Sequence, residues 1–89
     1  MTEEQILLLG FEKQVEEEFE NPFYYYTLDI VDGISFITQA NDEVKDGEWV
    51  VEIFNTSPFI KFKDASILSN LIEVLNQNKE DESNRTKNK

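Results

Sequence analysis

The step Asp32-Gly33 constrains this chain more than any other feature. It lies between two runs of β-forming residues, Phe23 to Ile30 and Ile34 to Ala40, and with Val31 it forms a turn. Glycine reaches the positive φ of a tight hairpin turn without a Cβ clash, so an Asp-Gly step between such runs predicts an antiparallel hairpin. Asn41 to Gly47 then reads as a polar loop closing on a second Asp-Gly step. Glu48 to Phe54 reads as a further strand. Phe59 to Lys63 reads as a short edge strand after the turn Asn55-Thr56-Ser57-Pro58.

Helices are expected at both ends. Thr2 can cap a helix over 2–9, with Glu3 and Glu4 in its first turn and Gln5 completing a capping box. Gly10 falls at the C′ position, with apolar Phe11 behind it. The following stretch has two readings. Phe11, Lys13 and Val15 alternate as in a strand over 11–15, whereas Leu8, Phe11, Val15 and Phe19 are spaced as in one helix from 3 to 20. The strand is favoured, since Gly10 inside a helix costs about 1 kcal/mol. At the other end, Asp64 caps a helix with Ile67, Leu68, Leu71, Ile72, Val74 and Leu75 on one broad apolar face. Residues 79–89 contain no apolar side chain and are expected to be disordered, leaving a single domain over 1–78.

The expected fold is therefore α+β: an antiparallel meander of three to five strands, a C-terminal helix packed on one face and a short N-terminal helix. Alternation along the strands puts Tyr24, Tyr26, Leu28, Ile30, Ile34, Phe36, Thr38, Trp49, Val51 and Ile53 on the core face, where the C-terminal helix packs. The opposite face carries Phe23, Tyr25, Thr27, Asp29, Ser35, Ile37, Gln39, Glu48, Val50, Glu52 and Phe54. It is mixed apolar and acidic. Either it stays open as an interaction surface, or the N-terminal helix and the loop around Phe19 cover it as a second small core.

Charge limits the partners. The 89 residues hold 19 acids and 8 bases, a formal net charge of −11. Residues 1–78 hold only Lys13, Lys45, Lys61 and Lys63 as bases. A body so acidic repels nucleic acid and anionic membranes and is steered toward basic protein surfaces. The acidic N-terminus and the lack of a long apolar run or of cysteine predict a soluble, cytoplasmic protein.

Catalytic chemistry is poorly provided for. With no histidine and no cysteine, the commonest bases, nucleophiles and transition-metal ligands are missing. The three glycines form no phosphate-cradling loop. Asn41 to Gly47 is a poor calcium loop, since Lys45 occupies a ligand position. No enzyme activity, metal or cofactor is expected.

The acidic run offers something else. If Glu16, Glu18 and Glu20 lay on one strand, they would project from one side about 6.6 Å apart, close to the spacing of phosphates along a DNA strand at roughly 6–7 Å. Such an edge could enter a protein's nucleic-acid groove. A solvated acidic loop is the plainer reading. The candidate partner-binding set is Glu16, Glu17, Glu18, Glu20, Tyr25, Asp29, Glu48, Glu52 and Phe54.

The segments LLLGFEK, FYYYTLDI, GISFITQANDEV, EWVVEIF and SILSNLIEVLNQ, spanning residues 6–77, resemble small proteins of bacteriophages and other mobile elements. That class includes anti-CRISPR inhibitors. The resemblance implies an inhibitor acting in the host cytoplasm on a protein with a basic surface, such as a CRISPR or other defence nuclease. It assigns no functional residue. The competing expectation is a structural or accessory phage protein that self-associates, for instance as a homodimer, through its open sheet face.

Overall fold

The computed structural model describes residues 1–18 and 20–80. It is an α+β fold: α1 (Glu3–Leu8), β1 (Glu12–Glu16), β2 (Phe23–Val31), β3 (Ile34–Thr38), a 3₁₀ turn at Asn41–Glu43, β4 (Val51–Ile53), β5 (Lys61–Phe62) and α2 (Ala65–Gln77). The strands form one antiparallel sheet in the order β1-β2-β3-β4-β5. Among the described residues, no helix is long and apolar enough to cross a membrane. Of the expected disordered tail, 81–89 lies outside the described residues. Lys79 lies within them and donates from Nζ to the Ile30 carbonyl at 3.1 Å.

Local chemistry explains the boundaries. Thr2 Oγ1 accepts from the Gln5 amide at 3.2 Å and Gln5 Oε1 accepts from the Thr2 amide at 2.8 Å, completing the capping box. Gly10 ends α1 with φ +95°, in the left-handed region that glycine tolerates. The chain then runs extended into β1, which excludes the single helix over 3–20. Gly33 takes φ +92° in the β2–β3 turn. The register slips between Asp29 and Val31, where Ile30 is the extra residue of a bulge. Asp64 caps α2 through the Ser66 and Ile67 amides at 2.8 and 3.3 Å.

The nine residues of β2 outrun the five of β3, and side chains complete the ladder. Thr38 Oγ1 accepts from the Tyr26 amide at 2.9 Å and Asn41 Oδ1 accepts from the Tyr24 amide at 2.8 Å. The loop that loosely resembled a calcium site is thus partly committed to the backbone. β4 is shorter than the expected 48–54. Gln39 Oε1 takes the Val50 amide at 3.1 Å, and the Trp49 amide turns to the Met1 carbonyl at 2.7 Å.

One core results. Met1, Ile6 and Phe11 from the N-terminal region join Tyr26, Ile30, Phe36, Trp49 and Val51 from the sheet and its approaches, and Leu68 and Ile72 from α2. Trp49 meets Tyr26 edge-to-face at 5.5 Å and stacks near Tyr24 at 6.2 Å. Each large side chain fully buried here contributes roughly 1.5–3 kcal/mol relative to exposure. The buried sheet residues are those alternation assigns to the core face.

Candidate functional site

The placement of α1 decides what the other face of the sheet can do. Ile6 is fully buried in the same cluster as Leu68. The Tyr26 hydroxyl donates to Glu3 Oε2 at 2.6 Å, on the core side. Both helices therefore pack on one face, and neither covers the opposite one. The part of the second-core expectation that concerns Phe19 lies outside the described residues.

Strand register turns this second face into an ordered grid. Directly paired residues of antiparallel strands share a face, so Glu12, Thr27, Ile37, Glu52 and Lys61 form a row across all five strands. Asp29 and Ser35 form a parallel row. The Phe54 amide, one residue past the end of β4, extends that row by donating to the Ser35 carbonyl at 2.8 Å. Gln14 faces Tyr25, and Glu16 faces Phe23. Rows on one face lie about 6.6 Å apart along the strands.

Diagonal contacts hold these side chains in place. Gln14 Nε2 donates to Thr27 Oγ1 at 3.0 Å and the Tyr25 hydroxyl donates to Glu16 Oε1 at 3.3 Å. Burial, and then the bond to Glu16, raise the Tyr25 hydroxyl above its ordinary pKa, so it stays a neutral donor at pH 7. Glu52 pairs with Lys61 at 3.8 Å. Glu12, Glu16 and Asp29 have no ion pair among the described residues.

Two shallow grooves cross the face and share Ile37 and Phe54. The smaller, of about 260 Å³, is lined by Tyr25, Thr27, Asp29, Ser35, Ile37 and Phe54, with Phe36 beneath. The larger, of about 570 Å³, runs toward β5 past Gln39, Glu43, Glu52, Phe59 and Lys61. Phe54 is 58% exposed and Phe59 66%. Two large aromatic side chains so open to water, beside unpaired carboxylates, make a surface suited to recognition.

Of the candidate residues, Glu16, Tyr25, Asp29, Glu52 and Phe54 come together on this face. Glu17, Glu18 and Glu20 do not. β1 ends at Glu16, and Glu18 and Glu20 lie in exposed bends. The regular ladder of acids along one strand is therefore not formed. Glu48 also leaves the group, because it precedes β4 and turns to the N-terminal ammonium at 3.5 Å. That ammonium also donates to the Trp49 and Lys63 carbonyls at 3.1 and 3.0 Å.

The face also holds Glu12, Gln14 and Lys61, which stand outside the candidate set. The first two were legible in the sequence, since a strand with Phe11, Lys13 and Val15 on the core side sends Glu12, Gln14 and Glu16 to the other. Lys61 depends on the register of a two-residue strand, which has no sequence signal. Comparison of the chain with protein-family models, curated proteins and solved structures finds no match.

Proposed function

We propose that this chain is a binding protein of the inhibitor type carried by bacteriophages and other mobile elements. It acts without catalysis, by laying its open sheet face on the basic, nucleic-acid-handling surface of a host enzyme such as a defence nuclease in the host cytoplasm. The observation that carries this reading is the placement of both helices on one side of the sheet. It leaves Tyr25, Ile37 and Phe54 facing outward among Glu12, Glu16, Asp29 and Glu52. Aromatic anchors supply contact area and carboxylates supply orientation and on-rate. The net charge of −11 favours encounter with a basic surface.

Self-association through the same face is the second reading, favoured by the exposure of Phe54 and Phe59. Charge weighs against it. Two copies meeting face to face bring unpaired carboxylates together, and like charges across an interface cost several kcal/mol.

Capture from host lysate separates the two. The proposal expects an enzyme retained at about 0.05 M salt, released near 0.5 M as charges are screened, and displaced by competing duplex DNA. Phe54→Ala should lose it. A chain that instead sediments as a dimer at high salt, with no DNA-displaced partner, contradicts the proposal and supports self-association.

A further inference from the structure

The smaller groove has a chemistry that separates the two common cations of a basic protein. Tyr25 and Phe54 provide aromatic rings, Ile37 provides an apolar wall, and Asp29 and Ser35 sit side by side on adjacent strands. Asp29 is exposed, and its carboxylate has no hydrogen bond or ion pair among the described residues. The larger groove lacks this freedom, since Glu52 is already paired with Lys61, whose ammonium repels a second cation.

A guanidinium is planar, weakly hydrated and rigidly forked. It can lie over a ring while its edge donates to both oxygens of a carboxylate. A lysine ammonium is a compact, strongly hydrated point charge. It gains the attraction of Asp29 but little from stacking, and it keeps more of its water. The groove's volume of about 260 Å³ suits one side chain rather than a folded segment.

We propose that this groove is an arginine-binding site, taking a guanidinium of a basic protein partner against Asp29 and the ring of Phe54, with Ile37 and Tyr25 lining the rest of the groove. The inference rests on the reading of the sheet face as the docking surface, and it adds which basic residue is read there.

The test uses three capped glycine-rich peptides that differ only at two positions, occupied by arginine, lysine or the neutral isostere citrulline. Each is titrated into the full chain at low salt and followed by NMR. The arginine peptide should shift Tyr25, Ile37 and Phe54 resonances and bind roughly five-fold or more tightly than the lysine peptide. Citrulline should bind weakest. Asp29→Asn and Phe54→Ala should each reduce arginine binding to the lysine level. Glu4→Gln, on an exposed position of α1, removes the same charge elsewhere and should leave it unchanged.

Equal binding of arginine and lysine peptides at this face overturns the arginine site and leaves acidic docking standing. Equal binding of citrulline and arginine overturns the role of Asp29 and with it the proposal. Binding of none of the peptides overturns both the proposal and the reading on which it rests.

Discussion

The Tyr26 hydroxyl donates to Glu3 Oε2 at 2.6 Å, tying the first turn of α1 to the middle of β2. Together with the burial of Ile6 and the bonds of Met1 to Trp49 and Lys63, this bond holds α1 on the same side of the sheet as α2, so that neither helix covers the opposite face. Tyr26 is 2% exposed and also packs edge-to-face on Trp49, so its ring and its hydroxyl hold different parts of the N-terminal attachment.

Tyr26→Phe keeps the ring and removes the bond. Glu3 is half-buried and can regain water, so the expected loss is about 1–2 kcal/mol, toward the low end for a bond to a charged acceptor. Urea unfolding of both chains measures it. A variant as stable as the parent would mean that this bond does not fasten α1.

The same hydroxyl sets an alkaline limit. Burial, then the bond to Glu3 and its charge, hold the Tyr26 pKa well above the ordinary 10.0. The folded state therefore keeps a proton that the unfolded chain gives up as pH passes 10. The resulting stabilisation is complete below that pH and is lost as pH rises beyond it. Tyr24 and Tyr25 are raised as well, so Tyr26→Phe should flatten the decline between about pH 9 and about pH 12 without abolishing it. Unfolding free energies across that range check the slope, and equal slopes for the two chains contradict the assignment.

Core truncation distinguishes neighbouring positions of α2. Leu68 is fully buried, whereas Leu71 is only half-buried. Leu68→Ala and Trp49→Ala should each cost roughly 2–5 kcal/mol. Leu71→Ala should cost less. Thermal melts of the three variants give the order, and Leu71→Ala as the most damaging would place α2 on the sheet in a different rotation.

Much of this fold was legible because its signals are local. The Asp32-Gly33 turn, the capping residues Thr2, Gln5 and Asp64, and the alternation from Tyr24 to Val51 each depend on a few neighbouring residues. The side of the sheet taken by α1 was not legible, since it turns on long-range contacts: Glu3 with Tyr26, Met1 with Trp49 and Lys63, and Ile6 in the core. The length of β4 was hidden for a similar reason: Gln39, a strand residue by pattern, spends its side chain on the Val50 amide. The acidic run after Val15 had two readings, and the plainer one, a solvated loop, describes Glu17, Glu18 and Glu20. Extended geometry over 16–20 gives an attractive spacing, but the strand ends at Glu16.

That ending permits a direct comparison of two acidic sets. Charge reversal of Glu17, Glu18 and Glu20 changes exposed positions outside the strands, and reversal of Glu12, Glu16 and Asp29 changes the sheet face. Both triple variants should fold, as surface substitutions typically shift stability by about 0.5 kcal/mol each. The face set should abolish partner binding, and the loop set should mainly slow association. Binding kinetics against a captured partner decide between them. Loss of affinity confined to the loop set would move the site off the sheet.

The most direct measurement is a map of amide and side-chain resonances of the chain bound to a basic partner captured at low salt. Docking through the sheet face should shift Tyr25, Thr27, Ile37, Glu52 and Phe54, with the exposed α2 residues Ile67 and Val74 unmoved. Shifts centred on Ile67 and Val74, with Tyr25 and Phe54 silent, would contradict it and place the docking surface on the helical side of the sheet.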